Sequence, residues 1–192
     1  MGHETEQARQ LIINAAVDSF LKRGFPESSM PAIIEESGVA PEVAYTLFPG
    51  KYDVIKALAE FNRTSGTGML QGLTEESPLP PTAELVARVL EFFERMADSG
   101  APAGLVPQTL GLSLFDEGIN VIMQDVAASM RQAWVGLATR LEEEGRLREG
   151  TNVQNVGATF LALGMGFMVY HMMGGIDADT LRQGLHSLII DR

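Results

Sequence analysis

Three prolines and two glycines punctuate residues 28–51, SSMPAIIEESGVAPEVAYTLFPGK, and leave this stretch few ways to fold. Ser28 or Ser29 can cap a helix by accepting a hydrogen bond from a free backbone N–H. Pro31 then falls in the first turn, where a missing N–H costs little. Ile33 and Ile34 give that helix an apolar side. Gly38 follows where the chain must turn, because glycine enters the left-handed region without steric cost. Val39 can pack beneath the turn, Pro41 suits the first position of a second helix, and Tyr45 and Phe48 recur three apart along it. Two helices joined by a short glycine-containing turn predict a helix-turn-helix, which can set its second helix in a DNA major groove.

The pattern extends on both sides. Ala8, Leu11, Ile12, Ala15, Ala16 and Phe20 share one face of an amphipathic helix, and Lys22-Arg23-Gly24 closes it with cations and a glycine at the negative end. Three helices are expected, at about 6–23, 29–37 and 41–47. On Ala15-Ala16, Phe20, Gly24-Phe25, Ser28-Ser29-Met30, Ile33, Gly38-Val39, Tyr45, Phe48 and Lys51, the chain resembles the TetR family of one-component transcriptional regulators. The motif covers roughly the first quarter of the chain.

The chain has 192 residues, enough for one large or two small domains, and its 45% hydrophobic content permits a sizeable core. It contains no cysteine, so disulfide and thiolate chemistry are excluded. The opening MGHETEQ has no apolar h-region, and a cytoplasmic location is expected. The net charge of −11 argues against unspecific nucleic-acid binding. Residues 1–63 alone hold six basic and nine acidic side chains, a net −3 where a basic surface would be expected for DNA.

Beyond the motif the periodicity is helical throughout, and an all-α fold of about nine helices is expected. A fourth helix starts near Tyr52 or Asp53 and runs to about Leu73. Ser77-Pro78-Leu79-Pro80-Pro81 breaks the chain, and a fifth helix covers about 82–98. Residues 99–107 read as loop, 108–115 as a short helix, and 119–144 as a long amphipathic one with Glu142-Glu143-Glu144 as a solvated end. Residues 152–173 and 177–190 complete the set, the last capped by Asp177. The stretch 156–176 carries no formal charge with His171 neutral, and its length invites a membrane-span reading. Five glycines and the lack of close Lys or Arg anchors point instead to a helix buried on two faces, one on its own core and one on a partner subunit.

The resemblance implies a helix-turn-helix DNA-binding domain over 1–52 and an effector-binding and dimerisation domain over 53–192, with the last two helices, 152–190, pairing with their copies in a four-helix interface. The candidate DNA contacts are Ser29, Pro41, Glu42, Val43, Tyr45, Thr46 and Lys51. Tyr45 can hydrogen-bond a phosphate, Lys51 can neutralise one, and Thr46 can reach a base or a phosphate. Ser29 reads as a cap more than a contact, and Phe48 as core. Where the family usually has hydroxyl or ring side chains, Ala40, Val43 and Leu47 stand here, and Glu42 adds a negative charge that either accepts from a cytosine amino group or repels phosphate. The candidate effector pocket is lined by Phe93, Met96, Phe115, Met123, Gln124, Trp134, Phe167 and His171, mostly apolar with a few polar groups, although each alone also suits an ordinary core.

No HExxH, P-loop or GxSxG pattern appears, and the three histidines, at 3, 171 and 186, have no spacing that demands a metal. The expected protein is therefore no enzyme and carries no cofactor. It is a dimeric regulator, by the family's habit a repressor, that binds a near-palindromic double-stranded DNA operator and is released by a small apolar effector. The rival expectation is a TetR-like dimer that no longer binds DNA and acts through a protein partner, as the acidic N-terminal region and Ala40, Val43 and Leu47 suggest.

Overall fold

The computed structural model describes residues 2–98 and 105–188, with side chains of the last helix described as far as Gly184. Among the described residues the chain is all-α. Nine helices follow in order: α1 (Gly2–Arg23), α2 (Met30–Ser37), α3 (Pro41–Leu47), α4 (Lys51–Glu75), α5 (Thr82–Asp98), α6 (Val106–Ser113), α7 (Glu117–Glu143), α8 (Val153–Met172) and α9 (Ala178–Leu188). The chain divides into two compact units, one of residues 1–62 with 101–124 and one of 63–100 with 125–192.

In the first unit α1 packs on α2 and α3. The core is apolar: Ile12, Ala16, Phe20, Ile33, Ala44, Phe48, Val54 and Ile55 are all but inaccessible to water. Burying each of the larger of these side chains contributes roughly 1.5–3 kcal/mol. The turns follow the punctuation. Gly24 and Gly38 sit at φ 81° and 67°, in the left-handed region. Ser29 caps α2 by accepting from the Ala32 N–H at 3.4 Å. Ser28 faces inward instead: the buried Ser19 hydroxyl donates to it at 2.8 Å, and it donates to the Gly24 carbonyl at 2.9 Å. Val39 packs partly buried against this core.

In the second unit α5 packs on α8 and α9. Its glycines do more than weaken helices. A Cβ on Gly157 would lie 2.5 Å from Val135 Cγ2 and 2.7 Å from the Val135 backbone nitrogen, and one on Gly164 would lie 2.7 Å from the Phe93 ring. Their bareness lets α8 approach α7 and α5 closely. The proline-rich break is docked rather than loose. Leu79 donates its N–H to Glu144 at 2.8 Å, and Arg146 donates to the Pro80 carbonyl and the Thr82 hydroxyl, each at 2.8 Å. The acidic run 142–144 is thus only partly a solvated end, because Glu144 is turned inward to this loop.

Helix boundaries differ from expectation where a cap or a proline intervenes. α6 starts at Val106 because Pro107 fits its first turn instead of belonging to the loop. α7 starts at Glu117 because Asp116 accepts from the Ile119 N–H at 3.0 Å and caps it. Asp177 caps α9 as expected, accepting from the Thr180 N–H at 2.7 Å. The expected loop at 99–104, the end of the last helix at 189–190 and the side chain of His186 lie outside the described residues.

Candidate functional site

Helix α3 is held by its underside. Ala44 is buried and Phe48, just past its end, is in the core, while Pro41, Glu42, Val43, Tyr45 and Thr46 are all exposed. Val43 and Tyr45 stay 44% and 45% accessible, large for side chains of their kind, so neither ring nor branch serves the unit's core. Thr46 donates its hydroxyl to the Glu42 carbonyl at 2.7 Å, leaving its lone pairs to accept from a base amino group. Ala40 precedes the helix with no side-chain cap, so the first turn carries no competing hydroxyl. The result is a short rod whose outward residues combine an apolar contact, a phenol, a hydroxyl and a carboxylate.

Lys51, at the start of α4, is more occupied than the sequence suggests. Its ammonium donates to the carbonyls of Phe25 at 2.8 Å, Ser28 at 3.1 Å and Pro26 at 3.2 Å, and lies 4.4 Å from the Phe25 ring centroid. An ammonium has three protons, and all three have an acceptor here. Three other cations of the unit also have partners. Arg23 pairs with Glu36, Lys22 lies 3.6 Å from Asp18, and Arg9 sits over Phe48 at 4.7 Å. Lys56 is exposed.

Beside the Lys51 clamp, Tyr52 packs edge-on to Phe25 at 5.3 Å and donates its hydroxyl to Asp116 at 2.6 Å. That hydrogen bond holds the Asp116 carboxyl below the usual carboxylate range, helped by the Ile119 N–H, and pushes the Tyr52 phenol up. A Cβ on Gly118 would meet the Tyr52 ring at 3.0 Å. Tyr52 and Asp116 thereby join the start of α4 to the start of α7, a link that no local sequence signal announces across 64 residues.

The candidate effector residues fall into both units. In the first, Phe115 is 91% accessible, Gln124 is exposed and donates to Asn120 at 2.7 Å, and Met123 packs partly buried against the core. In the second, Phe93 and Trp134 are buried and stacked with centroids 6.4 Å apart, Trp134 meets Phe160 at 5.6 Å, and Met96 is partly buried. Phe167 is buried against the His171 ring at 5.6 Å. His171 has acceptors on both nitrogens, the Ile176 carbonyl at 2.9 Å and Asp98 at 3.3 Å. Burial pulls its pKa down, but the Ile176 carbonyl and the Asp98 and Glu94 carboxylates outweigh it, and the net direction is up. Among the described residues no group of three or more His, Asp or Glu side chains could hold a metal.

Helix α8 keeps a face outside its unit. Ala158, Ala162, Leu163, Gly166 and Tyr170 are exposed along it, and Met173 just past its end. By length and composition alone this helix could cross a membrane. Its core face is nevertheless committed, through Gly157, Gly164, Phe167 and Met168, to the rest of the unit.

A three-helix head with an outward third helix has the geometry of a helix-turn-helix. Residues 12–58 match the model of the bacterial regulatory proteins, tetR family. Over that segment the chain is similar to the family, in line with the resemblance read from the sequence. An uncharacterized HTH-type transcriptional regulator, TtgW, of Pseudomonas putida is 34% identical over 55 residues, 29% of this chain; the match spans 41% of that relative's length. Solved structures share the whole fold at low identity. Salmonella enterica GusR superposes with a TM-score of 0.76 at 20% identity, covering 94% of both chains. FadR from Bacillus subtilis, in complex with stearoyl-CoA, superposes with a TM-score of 0.74 at 20% identity over 93% of this chain and 96% of its own.

Proposed function

We propose that this protein is a one-component transcriptional regulator, by the family's habit a repressor, that binds a near-palindromic operator as a homodimer and is released by a small apolar effector. Residues 1–52 read DNA, and residues 53–192 bind the effector and form the dimer. The observation that carries the reading is the outward presentation of α3, with Glu42, Val43, Tyr45 and Thr46 exposed on a helix anchored by Ala44 and Phe48. Val43 suits a thymine methyl, Thr46 or Glu42 a base amino group, and Tyr45 a phosphate. The uncharged outer face of α8 and the adjoining α9, within 152–190, supplies the self-complementary surface of a two-fold dimer. Two heads about 34 Å apart would then meet successive major-groove faces. An effector that favours one spacing of the heads over another lowers affinity because both can no longer dock together.

A second reading keeps the dimer and the pocket but gives up DNA for a protein partner. The specific observation favouring it is the engagement of Arg23, Lys22, Lys51 and Arg9 with other groups of the same unit, on a domain that is already acidic. Fluorescence anisotropy of the purified protein on its own upstream DNA, at several salt concentrations, separates the two. The regulator shows one preferred site and a steep salt dependence. Absence of binding to any neighbouring fragment at low salt selects the partner-binding protein. Thr46→Ala is expected to change the preference among operator variants without abolishing binding.

A further inference from the structure

Among the described residues two buried side-chain nitrogens have no hydrogen-bond partner, Trp134 Nε1 and Arg140 Nε. Arg140 uses its other nitrogens on Glu143, Glu144 and the Glu76 carbonyl, so its charge is met. Trp134 has one polar atom and nothing for it to donate to, although the residue is only 3% accessible. Buried donors left without acceptors are rare in proteins, because each carries the full cost of its lost hydration.

Two aromatic rings lie against this indole. Phe93 stacks on it with planes 12° apart, and Phe160 lies tilted against it at 60°. Gly157 and Gly164, on the helix that bears Phe160, have no Cβ, and a Cβ on Gly164 would collide with the Phe93 ring. Phe160 is the partly exposed member of the group, while Phe93 and Trp134 are buried.

We propose that Trp134 Nε1–H is the anchoring donor of an effector site whose ligand is uncharged, largely apolar and carries one hydrogen-bond acceptor, a carbonyl or ether oxygen, and which opens by movement of the Phe160 ring. This inference rests on the effector-regulated reading above and narrows its ligand class. The indole nitrogen only donates, so the complementary group must accept. A formal charge set between Phe93 and Phe160 would lose its hydration against two rings, which favours an uncharged ligand. A hydrocarbon of the same shape fills the same space but leaves the donor unmet.

Trp134 is the sole tryptophan, so the 15N-labelled full chain has a single indole N–H resonance. The probes are 2-acetylnaphthalene and 2-isopropylnaphthalene, which share a shape and differ in a carbonyl oxygen against a methyl group. The ketone is expected to bind about tenfold tighter and to move the indole proton downfield, as one added hydrogen bond implies. Trp134→Phe keeps the ring and removes the donor, and should erase the preference by weakening the ketone alone. Equal binding of both probes with an unmoved indole resonance overturns the acceptor anchor while an apolar effector pocket stands. Failure of both probes to bind up to their solubility limits overturns the anchor and the pocket together. The wild-type resonance decides the matter even if Trp134→Phe does not fold.

Discussion

Lys51 is where stability and DNA contact can be told apart. Its ammonium ties the carbonyls of Phe25, Pro26 and Ser28, the whole connection between α1 and α2, to the start of α4. Lys51→Met keeps the stem over Phe25 and removes the charge and all three donors. A charge-assisted hydrogen bond is worth about 1.5–3 kcal/mol when buried, but Lys51 is partly exposed and the freed carbonyls regain water, so about 0.5 kcal/mol each is appropriate. The cation over the Phe25 ring adds about 0.5 kcal/mol at such a site. The sum, about 2 kcal/mol, corresponds to a fall in Tm of about 4–8 °C for a chain of this size. Thermal unfolding followed by circular dichroism measures it, and a variant that melts within about 1 °C of wild type would refute the clamp. The same variant tests the phosphate role independently. If Lys51 also neutralises a phosphate, the slope of log K against log salt should fall by about one, with all sequences weakened alike. An unchanged slope with a lowered Tm assigns Lys51 to the fold alone.

Three further outcomes follow from the packing and the titrating groups. Gly157→Ala should destabilise by about 1–3 kcal/mol, since its methyl meets the Val135 backbone, whereas Gly166→Ala, with nothing within 4 Å, should leave the isolated subunit unharmed; equal melting of the two variants would contradict the close approach. Ala162→Glu, on the exposed face of α8, should yield monomers in analytical ultracentrifugation if that face pairs two copies, and an unchanged mass would remove it from the interface. His171 has a raised folded pKa, so its contribution is present in full below about pH 6.5 and is lost as pH rises through the folded value. Tm should therefore decline slightly above neutrality in wild type and less in His171→Gln; parallel profiles would show that the Asp98, Glu94 and Ile176 contacts do not hold the proton.

The helix-turn-helix was legible because its information is local. A capping serine, two prolines in first turns and two left-handed glycines restrict backbone dihedrals over a few residues, and the structure honours each at Ser29, Pro31, Pro41, Gly24 and Gly38. On α3 only Phe48 was legible as core, because the spacing paired it with Tyr45, whereas the structure buries Ala44 beside Phe48 and leaves Tyr45 exposed. Less could be read where a side chain finds a partner far along the chain. The three carbonyls that occupy Lys51, the Asp116 that receives Tyr52, the Leu79 that holds Glu144, and the unmet N–H of Trp134 all depend on which helices lie side by side. Helical periodicity places a residue on a face, but the identity of the neighbour comes from tertiary packing. Residue order along this chain therefore determined the helices and the helix-turn-helix with its capping serine and glycines, all of which arise from dihedral preference and apolar periodicity. Only the folded units decided which charges are consumed internally, which glycines are contact points and which polar atom is left without a partner, because those are properties of distances between segments far apart in sequence.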